Sequence, residues 1–277
     1  MSTAFFTGFP GFLGSQLLPR VLERSSGCRA VCLVQSKFLA QARSHLEHIC
    51  RAHPQLHGRI DLAEGDITEP HLGLPVTQLR NEISEIFHLA AVYDLRAPRE
   101  VAMRVNVDGT RNVLDFAEGA PRLRRLQYVS TCYVSGRYEG PFSEDDLDKG
   151  QSFNNCYEET KYLAEVEVRA RIRGGLPATI YRPAIVVGDS RTGVTQKYDG
   201  PYFMIRWLLR QPFIAVLPIV GDPSTTRVNL VPQNYVVDAM SYLSGLEASR
   251  GKTYQLADPE PLTVSELVKL IGHAARR

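Results

Sequence analysis

The chain has 277 residues, of which 44% are hydrophobic and 22% are charged, and its 32 basic and 30 acidic residues give a net charge of +2. This length fits one large domain or two small ones, and the composition excludes a disordered chain, a collagen-like fibre and a coiled coil. Because the charges balance, no long-range field attracts nucleic acid, and we expect no nucleic-acid partner.

The five cysteines and the apolar segments indicate the cellular compartment of the protein. The cysteines are odd in number and form no Cys-x-x-Cys motif. We therefore predict reduced thiols, no metal site and a cytoplasmic protein. The most apolar stretch, Phe213–Val220, contains Pro218 and is too short to cross a bilayer. The first residues do not resemble a signal peptide, so we expect neither a leader nor a transmembrane segment.

Short apolar runs alternate with helical patterns along the first two thirds of the chain. The runs predicted as strands are Ala4–Thr7, Ala30–Val34, Arg59–Glu64, Glu85–Leu89, Leu126–Ser130 and Ala178–Tyr181, the last continuing toward Val187. The helices predicted between them are Gly14–Arg24, Leu39–Ala52, Pro98–Glu118 and Cys156–Arg173. This alternation predicts an α/β fold, a doubly wound parallel sheet of the Rossmann type with helices on both faces.

After Gly188 the pattern becomes shorter and less regular. It consists of a loop over 189–202, a helix Tyr202–Arg210, a proline-rich segment over 211–227, a strand Val228–Val231, a helix Val236–Leu246, a strand Tyr254–Ala257 and a last helix from Thr263. We therefore predict a dinucleotide-binding domain of residues 1–187 and 228–257. A smaller, interleaved substrate-binding part comprises residues 188–227 and 258–277.

A glycine-rich turn, Thr7-Gly8-Phe9-Pro10-Gly11-Phe12-Leu13-Gly14, joins the first strand to the first helix. The first two glycines allow a tight turn and close approach to a pyrophosphate, and the third lets the helix pack on the strand with its N-terminus toward the phosphates. An ordinary strand-to-helix turn is the alternative. The position between a strand and a helix favours a dinucleotide site. Its predicted contacts are Thr7, Gly8, Pro10, Gly11, Phe12, Leu13 and Gly14.

Tyr157 and Lys161 form a Tyr-x-x-x-Lys pair four residues apart on a predicted helix, so their side chains share one face. A nearby ammonium lowers the pKa of a tyrosine from its usual value of about 10. We therefore predict that Tyr157 moves a proton to or from a carbonyl oxygen.

Ordered motifs along the whole chain resemble those of the extended short-chain dehydrogenase/reductase family. Besides the glycine turn and the Tyr157/Lys161 pair, they are Gly65-Asp66-Ile67, His88-Leu89-Ala90-Ala91, Val105–Thr110 and Arg182-Pro183. The resemblance implies further cofactor contacts from Asp66, Ile67, Leu89, Ala90, Ala91, Asn106, Tyr157, Lys161, Arg182, Pro183 and Ile185.

The same resemblance supplies a third catalytic residue. The segment Val129–Gly136 is similar to the family segment that carries a serine or threonine hydroxyl, and the alignment puts this hydroxyl at Thr131. Its role would be to stabilise negative charge on the substrate oxygen. Ser130 is the competing candidate. Cys132 and Cys156 flank these positions and are interpreted as packing thiols.

The substrate class follows from a closer resemblance. The glycine turn, Ser152–Tyr157, Asn229–Pro232 and Tyr235–Asp238 are similar to fatty acyl-CoA reductases and to the terminal thioester-reductase domains of peptide and polyketide synthases. This branch implies an acyl thioester, free or carrier-tethered, or its aldehyde as substrate. The segment Tyr202–Val220 mixes apolar side chains with arginines and is predicted to form an irregular lid, the alternative being the core of the smaller domain.

The end of the second strand bears on cofactor choice. It reads Gln35-Ser36-Lys37 and carries no acidic residue for the ribose 2′-hydroxyl, so Ser36 and Lys37 favour NADPH over NADH. The sequence therefore predicts an NADPH-dependent carbonyl reductase. The alternatives are a ketone or hydroxysteroid-like reductase, a sugar-nucleotide epimerase or dehydratase, and a non-catalytic NADP-binding protein. A homodimer is a possible assembly.

Overall fold

A computed structural model describes residues 2–75, 78–196, 198, 200–211 and 221–274. The strands are β1 (Ser2–Thr7), β2 (Cys28–Val34), β3 (Ile60–Glu64), β4 (Ile83–His88), β5 (Arg125–Val129), β6 (Ala178–Pro183), β7 (Ile185–Val187), β8 (Arg227–Val228), β9 (Leu230–Pro232), β10 (Thr253–Leu256) and β11 (Leu262–Thr263). The helices are α1 (Gly14–Glu23), α2 (Leu39–Ala52), α3 (Gln78–Glu82), α4 (Arg99–Ala102), α5 (Gly109–Glu118), α6 (Cys156–Arg173), α7 (Pro201–Leu209), α8 (Gln233–Ser244) and α9 (Val264–Ala274). A π-helical segment, Met103–Asp108, joins α4 to α5 within the predicted helix 98–118.

A seven-stranded sheet has the order β10-β6-β5-β4-β1-β2-β3. The pairs β2–β3, β1–β2, β1–β4, β4–β5 and β5–β6 are parallel. The chain builds β2 and β3 on one side of β1 and then returns to build β4, β5 and β6 on the other side. The predicted doubly wound parallel sheet is therefore confirmed, and its strand order reverses between β1 and β4. In such sheets, ligands bind beyond the carboxyl ends of the strands at this reversal.

Apolar residues cover both faces of the central strands. Phe5 on β1 packs on Phe116 of α5, with ring centroids 5.2 Å apart, and its neighbour Phe6 stacks on Phe87 of β4 at 4.6 Å. Successive strand residues point to opposite faces, so the two contacts lie on opposite sides of the sheet. Each fully buried phenylalanine contributes about 1.5–3 kcal/mol of hydrophobic stabilisation, which fixes the strand ends that carry the site.

The chain divides into two compact units. The larger contains 1–183 and 237–255, and the smaller contains 184–236 and 256–277. The predicted boundaries assigned 184–187, 228–236 and 256–257 to the larger domain. In the structure these residues belong to the smaller unit, because β7 pairs with β9 in a separate two-stranded sheet instead of extending β6. The substrate-binding role of the smaller unit stays a prediction.

Among the described residues, no helix combines the length and apolarity needed to span a bilayer. The same part of the chain holds no group of three or more His, Cys, Asp or Glu side chains arranged to bind a metal ion.

Candidate functional site

The glycine turn lies where the strand order reverses, between β1 and α1. Gly8 has a positive φ of 88°, and a Cβ atom there would lie 2.8 Å from the backbone nitrogen of Ala90. A Cβ on Gly14 would lie 2.6 Å from the Gly8 carbonyl oxygen. Side chains at these two positions would therefore collide with backbone. The turn, which also contains Pro10, Gly11, Phe12 and Leu13, keeps the narrow form that a dinucleotide-binding turn requires.

The first turn of α1 has features that fit a phosphate group. No side chain caps the helix at Leu13. The Ser15 hydroxyl, in the first turn, is buried and has no hydrogen-bond partner. Buried hydroxyls are rarely left unpaired, so an acceptor at this position would complete the site. A helix N-terminus also favours an anion through its partial positive charge. The residues present therefore fit the pyrophosphate of a dinucleotide.

The carboxyl ends of β2 and β3 form the second part of the site. Asp66 accepts hydrogen bonds from Gln35 Nε2 at 2.7 Å and from the Thr68 amide at 2.9 Å. Ile67 is buried against Gly109, where a Cβ would lie 2.8 Å from its Cδ1. The two predicted cofactor contacts Asp66 and Ile67 are thus held at the same end of the sheet as the glycine turn.

The predicted cofactor-selecting residues have a neighbour that sequence reasoning missed. The Ser36 hydroxyl donates to the carboxylate of Glu64, the last residue of β3. The Lys37 side chain is exposed, with Nζ 5.0 Å from the Phe38 ring centroid. The expectation of no carboxylate near this strand end is wrong, because the parallel register sets Glu64 beside Val34. The pairing of β3 with β2 brings Glu64 to this position, and the residues next to Ser36 in the sequence do not reveal it.

The chain after β4, which contains the predicted cofactor contacts Leu89, Ala90 and Ala91, borders the glycine turn. The Leu89 amide donates to the Thr7 carbonyl oxygen at 3.3 Å, and the Ala90 amide donates to the Thr7 hydroxyl at 3.2 Å. Together with the contact between Gly8 and Ala90, these bonds fix the β4 loop against the turn. The carboxyl ends of β1 and β4 therefore form one continuous surface.

Asn106, another predicted cofactor contact, hydrogen-bonds groups of the protein itself. Its side-chain amide donates to the Val92 carbonyl oxygen at 2.9 Å and to Thr160 Oγ1 at 3.0 Å, and its oxygen accepts from the Val92 amide at 2.8 Å. The residue is buried in the π-helical segment. Its side chain thus links the loop after β4 to α6 and helps to hold the two segments in place.

Tyr157 and Thr131 come together as the catalytic prediction requires. Tyr157 is the second residue of α6, a helix that begins at an Asn155 cap whose Oδ1 accepts from the Glu158 amide at 3.0 Å. Thr131 follows β5, and its side chain lies near the Tyr157 phenol, whose pKa it lowers. Burial of the phenol raises the pKa of Tyr157 to about 12, with Thr131 opposing the rise. The tyrosine therefore holds its proton at neutral pH.

Lys161 lies one helical turn beyond Tyr157 and is buried. Its Nζ donates to the Tyr128 hydroxyl at 3.0 Å and to the Val129 carbonyl oxygen at 2.8 Å. Burial lowers the pKa of Lys161 to about 7, with Glu165 opposing the change. The prediction that Lys161 lowers the pKa of Tyr157 is therefore wrong for this structure, because desolvation of the phenol dominates and the lysine is directed to β5.

The two candidate hydroxyls after β5 have different partners. Ser130 donates to Glu165 Oε2 at 2.6 Å. Thr131 Oγ1 accepts from the Tyr133 amide at 3.3 Å, donates to the Pro183 carbonyl oxygen at 3.5 Å and also meets Tyr157. Ser130 is engaged in a buried ionic cluster, whereas Thr131 contacts the tyrosine. The geometry therefore favours Thr131 as the substrate-side hydroxyl.

The Arg182 side chain forms part of that ionic cluster. It is fully buried, and its Nη2 lies 2.7 Å from Oε1 of the equally buried Glu165. It also donates to the carbonyl oxygens of Ser143 and Asp146 at 3.1 and 2.6 Å. Its guanidinium thus holds the 143–146 loop, and its predicted contact with the cofactor stays a prediction. Ile185, another predicted contact, lies in the smaller unit.

The two cysteines near the catalytic residues differ in their surroundings. Cys132 donates through Sγ to the Arg182 carbonyl oxygen at 2.9 Å, and burial raises the pKa of its thiol to about 12. A thiol of this pKa is almost entirely protonated at neutral pH and is a poor nucleophile. Cys156 is partly buried at the start of α6, and all five cysteines are unpaired.

Comparisons with known proteins identify the family of the chain. The model of the male sterility protein family, an NAD-binding family, matches residues 6–240. A crystal structure of the terminal R domain from the myxalamid PKS-NRPS biosynthetic pathway is 33% identical, with a TM-score of 0.86 over 99% of this chain and 70% of that chain.

Two curated relatives are much longer than this chain. A non-canonical nonribosomal peptide synthetase of Aspergillus campestris is 30% identical over 91% of this chain and 25% of its own length. The large subunit of L-2-aminoadipate reductase of Penicillium chrysogenum is 28% identical over 84% of this chain and 18% of its own length. The chain thus spans a quarter or less of these two relatives. With its family model, its sheet and its site in agreement, the chain belongs to the male sterility protein family within the extended short-chain dehydrogenase/reductases, an NAD(P)-dependent oxidoreductase family.

Proposed function

We propose that this protein is an NADPH-dependent reductase of an acyl thioester, either acyl-CoA or carrier-bound, or of the derived aldehyde. The observation that carries the proposal is the contact between the hydroxyls of Thr131 and Tyr157, one helical turn from buried Lys161. The relatives named as a peptide synthetase, an aminoadipate reductase and an R domain support this substrate class over others in the family.

The cofactor would be held by the glycine turn, the first turn of α1 and the Asp66 side of the sheet. When bound, the nicotinamide cofactor supplies a hydride to the acyl carbon. The exposed Lys37 and Ser36 support a preference for a 2′-phosphate, whereas the Glu64 carboxylate works against it. We therefore propose a preference for NADPH that Glu64 reduces.

The chain's own residues act on the substrate oxygen. Tyr157, protonated because its pKa is raised to about 12, donates a hydrogen bond to the carbonyl oxygen and then its proton as negative charge develops there. Thr131 donates a second hydrogen bond to the same oxygen and stabilises that charge. With a thioester, the product is a hemithioacetal. The deprotonated Tyr157 takes back the O–H proton, the carbon–sulfur bond breaks to give the aldehyde, and the sulfur leaves as a thiolate that takes a proton from water to become the thiol.

A substrate panel tests this function. Purified protein is mixed with NADPH or NADH and with acyl-CoA, aldehyde, ketone or UDP-sugar substrates, and cofactor oxidation is followed by absorbance. We expect oxidation of NADPH with acyl-CoA or aldehyde substrates. Activity confined to ketones or to UDP-sugars would overturn the proposal and favour the corresponding alternative enzyme.

Acyl chain length and the arginines of α7 test the substrate pocket. We propose that the segment Tyr202–Val220 lines it, although 212–220 lie outside the described residues. Each added methylene should improve apparent binding by up to about 0.8 kcal/mol until the groove is full. Arg206→Ala or Arg210→Ala should weaken carrier-bound substrates more than free aldehydes. A flat response to chain length would argue against an apolar acyl groove.

A further inference from the structure

Lys161 is directed toward β5 by a tyrosine that sequence reasoning did not select. Its Nζ lies 3.0 Å from the Tyr128 hydroxyl and 4.5 Å from the centroid of the Tyr128 ring. Tyr128 is fully buried, and Lys161 is 3% exposed. An ammonium that donates to a phenol oxygen in a buried site is held in one position, because few other acceptors are within reach.

A row of side chains extends from Tyr128 to the glycine turn. Thr110 lies near the Tyr128 hydroxyl and lowers its pKa, against burial, which raises it. Thr110 Oγ1 lies 3.0 Å from His88 Nε2, and His88 Nδ1 lies 2.7 Å from Thr7 Oγ1. All of these side chains are buried. The row therefore connects the surroundings of Lys161 to the turn that would hold the cofactor phosphates.

The number of available donors fixes the direction of the hydrogen bonds in this row of side chains. Thr110 donates to the Asn106 carbonyl oxygen at 2.6 Å, so its oxygen accepts from His88. His88 is neutral because burial and Lys161 lower its pKa to about 3, which leaves one N–H, on Nε2, and an acceptor at Nδ1 for the Thr7 hydroxyl. The Tyr128 oxygen accepts from Lys161 at 3.0 Å.

We propose that Tyr128 is a positioning residue for Lys161, whose hydroxyl oxygen holds the lysine ammonium against β5 and keeps it charged. This assignment rests on the proposed function for its catalytic meaning, but the contact itself does not. Tyr128 acts through Lys161, to which it is hydrogen-bonded.

Among the groups around Lys161, a neutral oxygen accepts the hydrogen bond from its ammonium. Glu165, one turn further along α6, favours the ammonium by charge, but its carboxylate is already bonded to Ser130, Arg169 and Arg182. His88 and Tyr128 are uncharged, since burial lowers the pKa of the first and raises that of the second. Without the Tyr128 oxygen, the Val129 carbonyl is the remaining direct acceptor among the hydrogen bonds described for Nζ.

Tyr128→Phe tests the proposal, with Tyr181→Phe as the matched control. Tyr181 is also a fully buried tyrosine of the same sheet, but its hydroxyl donates to Gln127 at 2.8 Å, away from Lys161. The protein, without cofactor, is labelled with ¹³C at lysine Cε and titrated by NMR. Its six lysines make the spectrum simple, and Lys161→Met assigns the resonance.

We expect the Lys161 titration midpoint to fall by about one pH unit or more in Tyr128→Phe and to stay at the wild-type value in Tyr181→Phe. Equal midpoints in the wild type and Tyr128→Phe would overturn the proposal. If Tyr128→Phe does not fold, Thr110→Val replaces it. That change removes the hydroxyl that lies near the Tyr128 phenol, and we expect a smaller fall in the same direction, whereas an unchanged midpoint would overturn the proposal.

The pH profile of turnover provides a second readout. If the protein reduces a thioester or aldehyde, the limb of the kcat profile that reports Lys161 should move to lower pH in Tyr128→Phe by the same amount as the NMR midpoint, with the KM for NADPH nearly unchanged. A uniform loss of kcat at every pH would overturn the positioning role. Absence of any turnover in the wild type would refute the proposed function while leaving the NMR result to decide this inference.

Discussion

Two strand ends of the larger unit carry the same pair of residue types, a serine hydroxyl that donates to a glutamate carboxylate. After β5, Ser130 donates to Glu165 at 2.6 Å, and both side chains are buried. After β2, Ser36 donates to Glu64, and both residues are exposed. The chemistry of the two pairs is alike, so the contrast between them isolates the effect of burial.

Burial decides what each pair contributes. Glu165 lies between the guanidinium groups of Arg169 and Arg182, 3.0 and 2.7 Å away, and no water can replace either of them easily. Loss of one member leaves a buried charge without its partner. Water replaces a lost partner at Glu64. The β5 end should therefore be rigid and intolerant of change, and the β2 end should adjust cofactor choice at little structural cost.

The largest expected effect is on stability at the buried pair. Glu165→Ala should lower the free energy of unfolding by about 3–5 kcal/mol, because Arg182 would remain buried and uncompensated. Urea denaturation measures this loss. The matched exposed change, Glu64→Ala, should stay within about 0.5 kcal/mol of the wild type. Similar losses in the two variants would break the comparison.

The next effect is on turnover at the buried end. Tyr157→Phe should lower kcat by about 10²-fold or more, because the protonated phenol is the proposed general acid. Steady-state NADPH oxidation measures kcat, and fluorescence of bound NADPH should show nearly unchanged affinity. Tyr181→Phe serves as the control for loss of a buried hydroxyl. Near-normal turnover in Tyr157→Phe would remove this residue from the mechanism.

Substitutions of the two adjacent hydroxyl residues after β5 should have different effects, one on catalysis and the other on stability. Thr131→Val should lower kcat by about 10²-fold, as expected for loss of a donor to the developing oxyanion. Ser130→Ala should lower the free energy of unfolding by about 1–3 kcal/mol, because Glu165 loses a buried partner, while kcat stays near the wild-type value. Paired denaturation and kinetic measurements check both, and the reverse pattern would assign the catalytic hydroxyl to Ser130.

The smallest effect is on cofactor choice at the exposed end. Glu64→Gln should strengthen NADPH binding by a few-fold and leave NADH binding nearly unchanged, since charges in water interact weakly. Lys37→Glu should weaken NADPH more than NADH. Fluorescence titrations with the two cofactors measure these ratios. Equal effects of Lys37→Glu on both cofactors would show that Lys37 does not contact the 2′-phosphate.

Local sequence patterns were sufficient to predict the fold and part of the site. The strand–helix alternation predicted the parallel sheet, and the glycine turn followed from three glycines between β1 and α1. The Tyr157/Lys161 pair was visible because four residues make one turn of a helix. Each of these signals is contained in a short stretch of sequence.

The remaining features depend on partners that are distant in the chain. Glu64 reaches Ser36 only through the register of β3 with β2, and Tyr128 meets Lys161 only because α6 packs beside β5. The apolar run after Pro183 reads as a continuation of β6, yet β7 pairs with β9 forty-odd residues later. The raised pKa of Tyr157 likewise depends on burial, which the spacing of Tyr157 and Lys161 does not encode.

The most direct test of the central claim is a single reaction that follows two products. Purified protein, NADPH and an acyl-CoA thioester are combined, and NADPH oxidation is recorded together with free thiol, detected by a chromogenic disulfide reagent in quenched samples. We predict thiol release with no more than two NADPH oxidised per thiol, and loss of both signals in Tyr157→Phe. NADPH oxidation without thiol release, or thiol release that persists without NADPH, would contradict the assignment as a thioester reductase.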